Sequence, residues 1–384
     1  INRGMNFDRT ADGSLALALE GGHSFRRIIH AGGSQTGREI TGALARMVAD
    51  QEKVTVFEET SATALWSDGS RCHGVITDQG LIAARATLLA SGGAAALWRR
   101  TSNPWGAIGA GSVLAHAAGA DLADLEFCQF HPTCVSAPGT SWDGALITEA
   151  IRGEGAVLLD VDGDRFTDEL APRDDVTSAI LSQIEAQGGQ PVRLDLRRIE
   201  VDHFPSAFKM LEMAGYDATS EPIPISPGAH YMMGGIAVDL DGSTSLPGLY
   251  AAGEAACTGI HGANRLASNS LTECFVFGQR AAEAGLAETG SPLPDLPEWR
   301  FDPPTAETRE SVWKLAGPQR TASELEELLD DPYPLARAIA ASALARTESR
   351  GGHRRTDFPE PDPGLDGVHQ IYGRDGRIEP RSWT

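Results

Sequence analysis

Two short apolar segments that each end in glycine constrain this chain more than any other feature. Ala86-Thr87-Leu88-Leu89-Ala90 runs into Ser91-Gly92-Gly93, and Leu246-Pro247-Gly248-Leu249-Tyr250-Ala251-Ala252 runs into Gly253-Glu254. An apolar strand that stops at glycine presents bare backbone, so a nucleotide can approach without meeting a Cβ atom. The two turns stand roughly 160 residues apart. That spacing predicts one nucleotide-binding domain whose chain leaves after the first turn, builds an insertion, and returns for the second.

The rest of the sequence supports this division. Short strands are predicted at Val54-Thr55-Val56, Ala62 to Trp66 and Gly74 to Thr77, separated by turn-formers such as Ser67-Asp68-Gly69-Ser70. Ala107 to Ala118 reads as a helix, and a further helix is expected to start near Ser268. Between about Leu122 and Ala229 the chain is loop-rich, with many acids, prolines and glycines. A proline-rich linker, Ser291 to Pro304, precedes a helical tail with apolar spacing at Leu325, Leu328, Leu329, Leu335, Ile339 and Leu344. From about Asp357 onward glycine, proline and charge predict irregular structure. The expected fold is therefore α/β (α+β). An incomplete Rossmann-like domain over 1–121 and 230–290 is interrupted by a capping domain over 122–229, and a C-terminal helical domain covers 291–384.

A formal charge of −21 over 384 residues excludes a nucleic-acid binder, because phosphate contacts need clustered Lys and Arg. It also means that an anionic ligand must be held by local cations against the global field. Five cysteines, Cys72, Cys128, Cys134, Cys257 and Cys274, are widely spaced with no Cys-x-x-Cys pair. They read as reduced, mostly buried thiols of a cytoplasmic protein, with no metal site. No run approaches the roughly 18 apolar residues that a membrane span requires. The chain starts Ile1-Asn2-Arg3 rather than with methionine, which leads us to expect that a natural N-terminal segment precedes it.

Four places set a cation or imidazole beside glycine or in a turn: Gln129-Phe130-His131-Pro132-Thr133, Glu149-Ala150-Ile151-Arg152-Gly153, His230-Tyr231-Met232-Met233-Gly234-Gly235 and His261-Gly262-Ala263-Asn264-Arg265. Singly, each has an ordinary explanation as a solvated arginine or a satisfied structural histidine. Together, two arginines and two or three histidines neutralise two carboxylates. Glu20, in Glu20-Gly21-Gly22-His23, is either one exposed acid among many or the partner of a substrate ammonium group. Asn264 to Leu271 places small polar groups at a helix start, where free N–H groups bind an anion or an electron-rich ring edge. Ser268 or Asn269 is equally suited to be a plain N-cap.

These motifs together resemble the flavoproteins that comprise L-aspartate oxidase and the flavin subunits of succinate dehydrogenase and fumarate reductase, and the likeness covers essentially the whole chain. Within that family the wording is similar to the L-aspartate oxidases. It shows in Glu20-Gly21-Gly22-His23, in His230 to Gly235, in the long and highly specific run from Cys257 to Leu271, and in Glu348-Ser349-Arg350-Gly351-Gly352-His353. The resemblance implies FAD as cofactor and L-aspartate or a fumarate-like dicarboxylate as substrate. The reaction implied is hydride transfer from C2 of aspartate to flavin N5, forming iminoaspartate and returning electrons to oxygen or fumarate. Iminoaspartate is condensed to quinolinate on the way to NAD, so quinolinate synthase is the implied downstream partner.

By the same resemblance Arg152 moves a proton, Arg265, His131 and His230 grip the carboxylates, and Glu20 faces the amine. Glu254 meets the ribityl chain and the backbone of Ser270 and Leu271 meets the isoalloxazine, with Ser91, Gly92, Gly93, Gly253, Asn264, Ser268 and Asn269 completing the FAD set. Succinate dehydrogenases usually carry glutamine after the glycine pair and no acid before it, so Glu20 discriminates between the branches.

The chain departs from the family pattern in several ways. No Gly-x-Gly-x-x-Gly occurs, and the first βαβ unit and the glycine-rich flavin loop are expected upstream of Ile1. Ala110 stands where the family commonly has Asp, and the tail between Trp313 and Leu344 is short. On this reading the chain by itself binds FAD poorly. Two alternatives stay open, a fumarate reductase or succinate dehydrogenase flavoprotein and a truncated non-catalytic homologue.

Overall fold

The structure is a computed structural model that describes residues 4–20, 22–33 and 35–382. Ile1 to Arg3 and the Gly21 of the Glu20-Gly21-Gly22-His23 motif lie outside the described residues. The chain forms two compact units, one of residues 1–59, 135–142 and 146–226, the other of 60–134, 143–145 and 227–384. The strands Cys128–Val135 and Ile223–Met232 each contain a unit boundary.

In the larger unit the two strand-to-glycine segments meet. Thr87–Leu89 and Leu249–Ala251 pair in parallel, Leu249 opposite Thr87 and Ala251 opposite Leu89. Parallel pairing brings both glycine turns to the same end of the strands, which is where open α/β sheets bind ligands. Ala62–Ser67, Cys72–Thr77 and Leu81–Ala83 form an antiparallel meander, in which Gly74 is required because a Cβ there would stand 2.0 Å from the Ile82 carbonyl oxygen. A mixed sheet runs in the order Ala256–Cys257, Gly235–Ala237, Leu122–Ala123, Val368–Tyr372 and Ile378–Ser382.

Helices Ala110–Ala118 and Pro334–Ala345 pack into one apolar core with these strands. Leu122, Ile236, Leu249, Leu325 and Ile339 are buried there with Trp98, whose indole donates to the Ala316 carbonyl at 2.8 Å. The tail is tied in by buried charge. Arg346 binds Glu126 at 2.6 Å and Glu348 at 2.9 Å, and Arg320 donates to the Glu126 carbonyl at 2.7 Å.

In the smaller unit Val192–Asp195 pairs antiparallel with Val157–Leu159 and with the start of Ile223–Met232. Helices Thr36–Ala49, Glu149–Gly153, Arg173–Ala186 and Pro205–Met213 belong to this unit, as does the short ladder of Leu17–Ala18 with Ile28–Ile29.

Three local expectations are corrected. Val54 to Val56 has β-forming residues but no ladder partner, and Val54 and Val56 are exposed. The end of the chain is not irregular, since Val368–Tyr372 and Ile378–Ser382 form a hairpin that joins the mixed sheet through Leu122–Ala123. The helix expected over Ala107 to Ala118 begins at Ala110 rather than Ala107, because Gly109 takes φ +70° and stops it.

Candidate functional site

In the larger unit the strand Cys128–Val135 is buried along its whole length. Its alternation sets Gln129 and His131 on one face. The Gln129 side-chain amide donates to Asn264 Oδ1 at 2.7 Å and to the Arg265 carbonyl at 2.8 Å, anchoring the Asn264-Arg265 turn to the strand. The tail motif fastens the same turn: Gly352 N–H donates to the Ala263 carbonyl at 2.8 Å. A Cβ on Gly351 would come within 2.2 Å of that oxygen, so glycine is needed.

His131 is buried, and the Thr133 N–H donates to its Nδ1 at 3.3 Å. In the neutral ring the proton therefore lies on Nε2, as a donor. The His131 and His230 rings stand 5.1 Å apart at 64°. His230 is held by Ser102 Oγ, 2.7 Å from its Nδ1, and by Asn103, which donates to its carbonyl at 2.6 Å. The Arg265 guanidinium lies 4.7 Å from the Tyr231 ring centroid, and its Nε donates to Ser270 Oγ. His131, His230 and Arg265 are thus gathered in one unit, each with a hydrogen bond or ring contact that fixes it.

The nucleotide side of the same unit follows from the glycine turns. Gly92 and Gly253 take φ of +77° and +65°, the left-handed region. A Cβ on Gly93 would stand 2.2 Å from Glu254 Oε1, and one on Gly111 would stand 2.2 Å from Ser91 Oγ. The Glu254 carboxylate accepts the Met232 N–H at 2.9 Å. Helix Ser270–Leu286 begins without a side-chain cap from Asn269, while Ser268 is held at φ +58°. The capping role considered for Asn269 is therefore not used, and backbone N–H groups of the first turn are left for another acceptor. Bare glycine backbone, an acid for a hydroxyl and an uncapped helix start fit a flavin nucleotide.

Burial pushes the Glu254 carboxyl up to about 7, only partly opposed by the Met232 hydrogen bond and the charge of Arg265. An acid raised in the folded state favours folding below its unfolded value, and that contribution is lost as pH rises from about 4.5 to about 7. Glu254→Gln keeps the acceptor for Met232 without the ionisation. Its stability relative to the parent is expected to rise across that window by at most roughly 3 kcal/mol, less where solvent screens the group. Urea denaturation at pH 5 and pH 8 measures it, and a pH-independent difference would refute the assignment.

In the smaller unit Arg152 is buried, with Glu149 Oε1 3.3 Å from its Nη2, and its Nη1 donates to the Glu169 carbonyl. Burial lowers its pKa, against the opposite charge of Glu149. Glu149 also accepts from Arg173, at 2.7 Å from Nε and 2.6 Å from Nη2. One carboxylate therefore serves two arginines. Sequence reading missed Arg173, although a signal existed: a cation at the first position of helix Arg173–Ala186 opposes the helix dipole and needs a nearby anion. Glu20 lies 3.9 Å from His30 Nε2. No group of His, Cys, Asp and Glu suited to a metal occurs among the described residues, and no described helix is long and apolar enough to cross a membrane. All five cysteines are free, four of them buried and Cys274 exposed.

Comparison with known proteins agrees with this geometry. The family model described as an FAD binding domain matches residues 1–271, and that described as the fumarate reductase flavoprotein C-terminus matches 319–375. L-Aspartate oxidase of Xylella fastidiosa is 42% identical over 93% of this chain and 74% of its own length. That of Mycobacterium leprae is 41% identical over 94% and 76%, and that of Caulobacter vibrioides 42% identical over 97% and 78%. Among solved structures, E. coli quinol fumarate reductase superposes with a TM-score of 0.86 at 27% identity, covering 99% of this chain and 80% of that one. Mycobacterium smegmatis Sdh1 gives 0.79 at 33% identity over 96% and 75%.

Proposed function

The chain belongs to the FAD-binding flavoprotein family that includes the L-aspartate oxidases, and from that premise we propose that it oxidises L-aspartate to iminoaspartate. The observation that carries this reading is the gathered cation set of His131, His230 and Arg265 in a chain about 42% identical to L-aspartate oxidases over nearly its whole length.

Substrate recognition falls to those cations. A planar guanidinium takes one carboxylate in a bidentate grip, and the two imidazoles donate to the other. Because the chain carries a net −21, the two carboxylates of the substrate are retained only by such local charges. Glu20 pairs with the ammonium group, which distinguishes aspartate from succinate. Arg152, Glu149 and Arg173 serve the proton. The carboxylate that both arginines share can pass a proton between them, and Arg173, the less buried of the two, is its outward end.

Ser91, Gly92, Gly93, Gly253, Glu254, Asn264, Ser268, Asn269, Ser270 and Leu271 would hold FAD, with 1–121 and 230–290 as the nucleotide-binding parts, 122–229 as cap and 291–384 as helical tail. Held there, FAD would supply the two-electron chemistry that takes up the hydride of C2 and passes the electrons to oxygen or fumarate. The protein's share is to orient C2–H and balance charge. The product enters quinolinate formation for NAD synthesis, with quinolinate synthase as consumer, and the setting is the cytoplasm.

The likeness to fumarate reductase favours a second reading, reduction of fumarate or oxidation of succinate; Glu20 stands against it. Purified protein supplied with FAD is expected to turn over L-aspartate with oxygen or fumarate as acceptor. Succinate oxidation without aspartate oxidation would replace the first reading by the second.

A further inference from the structure

Behind Arg265, in the same unit, lies a buried polar cluster that the proposed reaction does not use. Glu273, in the first turn of helix Ser270–Leu286, is 1% exposed. Its Oε2 accepts from the Tyr231 hydroxyl at 3.2 Å and stands 2.7 Å from His261 Nε2, while its Oε1 accepts from Thr258. The Tyr231 and His261 rings meet edge to face, 5.2 Å apart at 84°. The other face of this arrangement is the cation: the Arg265 guanidinium lies 4.7 Å from the Tyr231 ring centroid.

A buried carboxylate is retained only where partners satisfy both oxygens. Here Thr258, His261 and Tyr231 do so, and burial is more than offset, so Glu273 stays below the usual carboxylate range. Burial and the Glu273 charge hold the Tyr231 phenol protonated, its pKa raised. The phenol is therefore a permanent donor to a permanent anion, which fixes the ring plane. A ring donating its proton to an anion is also more electron-rich, and its face attracts the guanidinium more strongly.

We infer that Glu273, with His261 and Thr258, is a positioning residue for substrate recognition: it locks the Tyr231 ring, and the locked ring sets the orientation in which Arg265 meets a substrate carboxylate. This rests on the reading of Arg265 as a carboxylate-binding group. The relay acts on binding rather than on the hydride or proton step, because Glu273 reaches the substrate only through Tyr231 and Arg265.

The test is a double-mutant cycle of Glu273→Gln and Tyr231→Phe in the full chain supplied with FAD. It is read by calorimetric binding of succinate, a four-carbon dicarboxylate without the amine that the proposed reaction oxidises, and by steady-state kinetics on L-aspartate. Each single variant is expected to raise the succinate Kd and the aspartate KM by about three- to tenfold, as for a desolvated cation–π contact weakened when its ring is no longer held, with kcat within about threefold. Since both act on one ring, the double variant is expected to be no weaker than either single. Tyr231→Phe keeps the ring volume and secures a folded variant should Glu273→Gln not fold. Parent-like binding in Tyr231→Phe, additive effects, or a fall in kcat at unchanged KM would each overturn the relay. If the parent binds succinate but does not oxidise aspartate, the proposed reaction fails while the binding arm still decides the relay. If it binds no dicarboxylate, both fall.

Discussion

Replacing Arg265 by leucine is expected to lower kcat/KM for L-aspartate by about 10²- to 10³-fold, mostly through KM. The guanidinium is held by Ser270 Oγ at Nε and by the Tyr231 ring, and its backbone carbonyl is anchored by Gln129. A fork so restrained loses little entropy on closing two charge-assisted hydrogen bonds to a carboxylate. Truncating one partner of such a pair costs roughly 2–5 kcal/mol, since the substrate charge is left desolvated. Arg265→Lys restores charge without the fork and is expected to recover only a small part. Steady-state kinetics across both variants measures this, and an unchanged KM in Arg265→Leu would remove the residue from the substrate site.

The second large effect is expected at Glu149. Glu149→Gln removes a charge shared by Arg152 and Arg173 and leaves Arg152 as a buried cation whose Nη1 donates to the Glu169 carbonyl. Breaking a buried pair by removing one partner costs about 3–5 kcal/mol, which corresponds to a thermal midpoint lower by roughly 6–10 °C. Adding Arg152→Met to that variant deletes the orphaned cation, so the double variant is expected to regain stability over Glu149→Gln alone. Calorimetry of the two proteins decides it: a double variant less stable than the single would show that Arg152 is held by packing rather than by charge.

The glycine turns were the most legible part of the fold. Gly92 and Gly253 adopt the positive φ that their place after an apolar strand predicts, and their strands pair in parallel across the insertion. Steric rules of this kind act between neighbours in the chain, so neighbours reveal them. Val54 to Val56 shows the converse. β-branched residues favour a strand, but a strand exists only where another edge accepts its hydrogen bonds, and none does so here. Val368–Tyr372, in a segment whose composition argued for irregularity, found such an edge at Leu122–Ala123.

The sequence by itself determined which residues carry charge and donors, but not their setting: His131 and His230 lie in strands and Arg152 in a short helix rather than in turns. It also determined the family, because the run from Cys257 to Leu271 is long enough to be specific. Only the tertiary structure decided the pairing of those charges. Glu149 takes Arg173 from 24 residues away as well as Arg152 from its own helix, and Glu273 takes Tyr231 from 42 residues away. Coulomb and hydrogen-bond energies depend on distance through space. Chain separation does not encode that distance, so the sequence shows the glycine turns and the cations and leaves open which acid answers each.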